Sequence, residues 1–329
     1  MRVTSNLYPE MFKSQISSLK TQQLIYQTQV ATGLRIQKAS DDPLGFHQSQ
    51  VIAGNNSQIN MYLSSTAAAR SLGTANYSAM TDLQRLITRA SELAMRSNSP
   101  HTADEQEVIG EEMKSILDQV AEVANRKYDG RYLFGGTKNV PPVVQTSEGP
   151  PPTYEYNNEP ALASPPNPPN TPDGAQPADY TSNITQSEIA ENHVMDTGFV
   201  AGRTASGVDR PAFDGFLCDG TTDILATLQT MVNDLSAGNA VDTAELGAIK
   251  DATSLVAMFV GKAATRLEAL DLNEASLEDQ KNLGVERMDA ATGVSLADAI
   301  TELQRAQLQY QAALQSGSQV LTMSLLDYL

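Results

Sequence analysis

The 329-residue chain has one cysteine, no tryptophan, three histidines and an aromatic content of only 5%. A single thiol, Cys218, excludes an internal disulfide framework and any multi-cysteine metal site. With no basic cluster beside it, it reads as a small, partly buried side chain. His47, His101 and His193 stand alone, without a second ligand at a metal spacing, so no metal is expected. No run of ~18 apolar residues occurs, and the opening "MRVTSNLYPEMFKSQ" lacks an apolar stretch of signal-peptide length. The expectation is a soluble chain without a cleaved signal peptide. A net charge of −17 argues against nucleic acid as a partner.

Catalytic signals are also absent. "GRYLFGGTK" has Gly130 and Gly135 at the gap of a phosphate loop, but Gly136 stands where the lysine must be. "DGTTD" (219–223) lacks the ligand count for calcium and reads as a helix cap with an Asp in the first turn. The expectation is therefore no catalytic residue, no cofactor and no enzyme.

What is present is aliphatic. Ala, Leu, Gln and Ser dominate a 40% hydrophobic composition, which favours long helices packed side by side. From Phe12, the residues Ile16, Leu19, Gln23, Tyr26 and Val30 recur at steps of four and three, the spacing of a narrow coiled-coil-like seam. The helix stops at Gly33, where a left-handed backbone costs glycine nothing, and restarts where Asp42 can cap and Pro43 takes the first helical position.

The second helix is predicted from Pro43 to about Asn98, roughly 80 Å at 1.5 Å per residue. Its stripe holds Ile52, Ile59, Tyr62, Ala69, Met80, Leu83, Ile87, Ala90 and Ala94. Thr102 and Glu105 form a capping box for a third helix, with Ile109, Met113, Ile116, Val120 and Val123 as its stripe and Asp129-Gly130 as its stop.

Residues 141–180 hold 12 of the 16 prolines, and a loop is expected there. "TYEYNN" and "NITQSEIAENHVMDTGFV" beside it carry short β-compatible runs, so a small irregular β insertion is predicted. Helix returns at Thr222 and again behind an Asp242–Glu245 cap. A last helix, capped by Ser295 and Asp298, carries Leu296, Ile300, Leu303, Gln307, Tyr310, Leu314, Gly317 and Leu321. The two terminal stripes mirror each other and can zip together.

Each arm is short and has Gln or Gly within its seam. Burial at ~25 cal/mol per Å² of apolar surface is opposed by ~1–2 kcal/mol for every ordered residue, so an isolated pair of arms is marginal. The ending "VLTMSLLDYL" has more apolar side chains, Leu325 and Leu326 among them, than one partner helix can cover. Other copies of the chain would supply the missing neighbours. For the periodicity alone, an intramolecular helical bundle stays open.

"TGLRIQKASDDPLG" resembles the N-terminal signature of flagellins and flagellar hook-associated proteins. The final "LADAITELQRAQLQYQAALQSGSQVLTMSLLDYL" resembles their C-terminal signature. Pro43 after Asp42, the segment "NRKYDGRYLFGGTK" and the ending Leu-Leu-Asp-Tyr-Leu point, within this superfamily, to the hook-associated protein 3 family of distal hook-filament junction proteins.

The resemblance implies a mainly α fold: a long antiparallel helical rod (42–138 plus 219–292), paired inner coiled-coil arms (1–41 plus 293–329) and a small β-rich outer insertion (139–218). It implies a secreted, extracellular structural protein of the bacterial flagellum, exported by the flagellar type III system with a chaperone on the C-terminal arm. Its partners would be hook-associated protein 1, flagellin and a ring of identical subunits, with no membrane and no nucleic acid. Assembly residues would be Ile16, Leu19, Tyr26, Val30, Ile300, Leu303, Tyr310, Leu314, Leu321, Leu325 and Leu326. The hinge loop would hold Gly33, Arg35, Asp41, Asp42 and Pro43, with Arg35, Lys38, Asp41 and Asp42 available to neighbouring copies. The alternatives are a filament-forming flagellin and, more distantly, an intracellular coiled-coil adaptor docking through "PPNPP" (165–169).

Overall fold

The structure, a computed structural model, describes residues 7–99, 102–136, 141–147, 153–156, 185–199, 201, 215–218 and 222–326, with side chains from Glu10 to Gly317 among them. The "PPNPP" segment, His101 and the side chains of Leu321, Leu325 and Leu326 lie outside these. Six helices occur in the described residues: α1 (Leu7–Thr32), α2 (Pro43–Ser97), α3 (Ala103–Ala124), α4 (Ile224–Ser236), α5 (Thr243–Thr292) and α6 (Leu296–Leu326). Three antiparallel strand pairs complete them: β1 (Lys127–Tyr128) with β2 (Arg131–Tyr132), β3 (Val143–Ser147) with β4 (Thr153–Tyr156), and β5 (Gln186–Ala190) with β6 (His193–Asp196). The mainly α class with a small β insertion is as the sequence implies.

Two compact units divide the chain. One holds 1–60 and 278–329, the other 61–277.

The larger unit is built on helix faces. From α2, Met80, Leu83, Ile87, Ala90 and Ala94 are fully buried, and they meet Met113, Leu117 and Val120 of α3, Leu228, Met231 and Val232 of α4, and Val256 and Ala263 of α5 in one core. Caps fix where these helices begin. Thr102 accepts the Glu105 N–H while the Glu105 carboxylate accepts the Thr102 N–H, a full capping box. Asp242 and Glu245 reciprocate in the same way at 2.8 and 2.9 Å ahead of α5. Asp223 is itself the N-cap of α4, accepting from the Ala226 N–H at 3.0 Å, so it precedes the helix rather than sitting in its first turn.

Two local expectations need correction. Asp129-Gly130 does not stop α3, which ends at Ala124 with Asn125 as its C-cap. Both residues have positive φ, 51° and 75°, and form the two-residue turn of the β1–β2 hairpin, a conformation for which Asp-Gly is well suited. The stretch after residue 140 is also not entirely loop. Val143–Ser147, free of proline, pairs with Thr153–Tyr156, and the Asn125 side-chain amide anchors it by exchanging hydrogen bonds of 2.7 and 3.0 Å with the backbone of Val143.

The base of the insertion is an aromatic cluster. The Phe134 and Phe216 rings lie 4.5 Å apart, and Phe259 contacts both Phe216 and Phe199 edge-on. Backbone bonds from Ala201 to Phe134 and from Leu217 to Ala201 tie the crossing segments together there. Tyr156 donates its hydroxyl to Asp223 at 2.9 Å. Burial, with the Asp223 carboxylate beside it, pushes this phenol far above its ordinary range.

The β5–β6 hairpin packs back on α2 and α5. Ile189 is buried against Ala69 and Leu270, and helix side chains grip the hairpin's carbonyls. Ser65 and Asn273 donate to Glu188 and Ile189, Asn76 to Thr197, and Arg266 to Gly198 while its guanidinium covers the Phe199 ring at 4.1 Å. Side-chain donors on otherwise unpaired carbonyls blunt a short strand pair that would otherwise present open edges.

Candidate assembly arm and joint

The smaller unit contains α1 packed along α6. On α1 the described seam is the expected one: Phe12, Ile16, Leu19, Gln23, Tyr26 and Val30 are half-buried and alternate with exposed positions. On α6 every second seam position is displaced by one residue. The covered positions are Ala299, Leu303, Ala306, Tyr310, Ala313 and Gly317, stepping four and three. Leu303, Tyr310 and Gly317 were expected there. Ile300 and Leu314 were too, but they are 38% and 45% exposed, and Gln307 is exposed as well.

Close approach explains the shift. A side chain on Gly317 would overlap the Phe12 ring, and Ala at 299, 306 and 313 keeps the rest of the seam shallow. Large side chains at 300 and 314 are turned off that line, on the same side as Leu296, which is 53% exposed. The signal was a seven-residue repeat of alanine, masked by the more conspicuous Ile and Leu. The arm therefore exposes Met11, Leu24 and Ile25 from α1 and Leu296, Ile300, Leu308 and Leu314 from α6. It also carries little charge. Between 7 and 32 there are only Glu10, Lys13 and Lys20, and between 296 and 326 only Asp298, Glu302 and Arg305. Residues 61–277, by contrast, carry 14 basic and 29 acidic side chains, a net −15.

The joint is the segment 33–45 together with 289–295. Gly33 has φ +70° and closes α1 through its N–H on Gln29. Asp41 folds its carboxylate back onto the N–H groups of Lys38 and Gln37 at 3.0 and 3.2 Å. Asp42 caps α2 through the Gly45 N–H at 3.0 Å, with Pro43 in the first helical position. Those backbone donors, Gln37 first for Asp41 and Gly45 for Asp42, hold both carboxyls below the usual range. Ile36 is buried over Gly45, where a side chain would overlap both it and the Asp42 carboxylate.

Across from this loop, Leu34 bridges Gly293 in antiparallel fashion. The Arg35 N–H donates to Thr292 at 2.6 Å and the Val294 N–H donates to Gly33 at 3.0 Å. The Arg35 guanidinium donates to the Ala291 carbonyl at 3.2 Å and to Asp42 at 3.4 Å. Arg35, Asp41 and Asp42 thus have partners within their own chain. Sequence reasoning missed Ile36, Gln29 and the Thr292–Val294 strip, because a pairing between positions ~260 apart leaves no periodic trace.

Among the described residues no group of His, Cys, Asp and Glu could hold a metal ion, and no helix is long and apolar enough to cross a membrane. His47 on α2 and His193 on β6 are exposed.

Residues 4–139 match the family described as the bacterial flagellin N-terminal helical region. Flagellar hook-associated protein 3 of Salmonella typhimurium is 26% identical over 144 residues, covering 42% of this chain and 44% of that protein. A Bacillus subtilis flagellin is 24% identical over 144 residues, covering 43% and 47%. Each match spans less than half of the relative's length. In fold, a putative flagellar hook-associated protein from Vibrio parahaemolyticus superposes with a TM-score of 0.59 at 17% identity, covering 77% of this chain and all of that one. Residues 4–139 thus match a flagellin-type N-terminal helical region, the chain is similar to flagellar hook-associated protein 3 over 144 residues of sequence, and its fold is like that of a putative flagellar hook-associated protein.

Proposed function

We propose that the chain is a non-catalytic structural subunit of the bacterial flagellum, placed as a short ring at the junction between hook and filament. In this reading α1 and α6 form an inner arm completed by sister copies. The chain passes unfolded through the flagellar export channel, with a chaperone holding the C-terminal arm, and its terminal helices gain a settled fold as they assemble. Its neighbours outside the cell are hook-associated protein 1 on one side and flagellin on the other.

The observation that carries the reading is the arm itself. Its seam is narrow and shallow, and Leu24, Ile25, Leu296, Ile300, Leu308 and Leu314 point away from it. Such a pair of helices is poorly stabilised alone and offers further apolar faces to neighbours. Its low charge suits dense packing of identical copies, because like charges are not brought together.

The test is genetic and structural. Cells lacking the gene should build hooks yet shed flagellin into the medium, and the protein should be found in sheared appendages. Full filaments on the deletion strain would refute the assignment. The Bacillus flagellin match favours a second reading, a filament subunit. Purified protein at high salt separates the two: micrometre filaments support the second reading, and a mainly monomeric state supports the first.

A further inference from the structure

The loops that join α1 to α2 and α5 to α6 are hydrogen-bonded to each other, and one side chain spans them. Arg35 touches three helix ends by itself. Its carbonyl accepts from the Gln29 side chain in the last turn of α1 at 3.3 Å. Its N–H donates to Thr292, the last residue of α5. Its guanidinium reaches the Ala291 carbonyl, also in the final turn of α5, and the Asp42 carboxylate that caps α2. The fourth end, the start of α6, is tied two residues ahead of Leu296, through the Val294 N–H to the Gly33 carbonyl.

A cation is favoured both at a helix C-terminus, where the last carbonyls lack intrahelical partners, and beside a capping carboxylate. Arginine serves both at once because its planar fork directs donors at two acceptors; lysine, a single point charge, satisfies one. Two independent linkers would need neither the paired backbone strip nor a residue reaching across it.

We propose that these two loops are one hinge rather than two, pinned by Arg35, so that the end of α1 and the start of α6 open and close together against the ends of α2 and α5. Ile36, buried over Gly45, seats the pinned loop on the first turn of α2. Bending at the joint then redirects α1 and α6 as a pair without unzipping their seam. The proposal concerns the solitary chain and is independent of what the arm assembles with.

Native-state amide exchange on the full-length protein tests it. The amides at positions 35 and 294 should be protected in the monomer, with equal opening free energies and equal denaturant slopes, because one event exposes both. Arg35→Ala should lower both protection factors by the same ratio, about tenfold or more, while the core amides of α3 and α4 hold. Arg35→Lys, which keeps the charge and guards against a poorly folded alanine variant, should fall between. Different slopes at the two amides, loss at position 35 alone, or no protection in the intact chain would each overturn the single hinge. Fast exchange within 10–28 and 300–317 beside a protected joint would leave the hinge standing and bear separately on how the arm orders.

Discussion

Phe12 rests on Gly317, so closely that no side chain could be added to the glycine without moving the ring. This contact, near the free ends of α1 and α6, sets how tightly the two helices approach.

Gly317→Leu is accordingly expected to push α1 off α6. Overpacking of this kind costs ~1–3 kcal/mol, which a marginal arm cannot absorb. Phe12→Ala in the same chain should recover part of the loss. Hydrogen exchange along α1, read for the single and double variants, measures the coupling between the two sites.

The two stripes on α6 should respond differently to charge. Leu303 faces the seam, and an aspartate there would be covered without a partner and destabilise the arm. Ile300→Asp and Leu314→Asp fall on the exposed stripe. They should leave the melting of the isolated chain within about 0.5 kcal/mol and abolish incorporation into appendages. Normal incorporation of Leu314→Asp would remove the exposed stripe from the interface.

Glu245 gives a pH dependence of known sign. Burial pushes its carboxyl above the ordinary range; the Asp242 N–H it accepts pulls the other way, and the nearby Asp234 carboxylate adds to the rise. A raised carboxyl pKa means that the folded state disfavours the charged form. The penalty is present above the folded pKa and gone below the unfolded one. Glu245→Gln preserves the capping geometry and should raise stability at pH 7, with the gain vanishing near pH 4. Denaturant unfolding at both pH values checks it.

The β5–β6 hairpin should detach before the core opens, since its apolar contacts lie in a small cluster apart from the main core. Asn76→Ala and Arg266→Ala each remove a donor from a hairpin carbonyl, at a cost of ~1–2 kcal/mol. Amides of 186–196 should then exchange faster while those of α3 and α4 stay unchanged.

Association between copies is expected to strengthen with salt. Residues 61–277 carry a net −15, and identical copies bring those charges together; 0.15 M salt screens them over ~8 Å. Sedimentation at rising ionic strength, up to concentrations where salting-out sets in, reads the effect.

Much of this protein was legible in its sequence wherever one residue's neighbours lie three, four or seven positions away. The caps Thr102 and Asp242, the stop at Gly33, the restart at Asp42-Pro43 and the buried stripes of α2 and α3 are all local or periodic. The β1–β2 hairpin was missed, because Asp-Gly can end a helix or turn a hairpin, and the choice depends on whether Asn125 has already capped α3.

Which stripe of α6 meets α1 was decided by tertiary structure alone. Two heptad registers share Leu303, Tyr310 and Gly317, and the periodicity favours neither. Interhelix distance breaks the tie, and it is set by Phe12 from the far end of the chain. The same holds at the joint: sequence marked a loop with two aspartates and an arginine, but only folding brings Arg35 beside residues 291 and 292, since a contact across some 260 positions depends on the path of the chain between them.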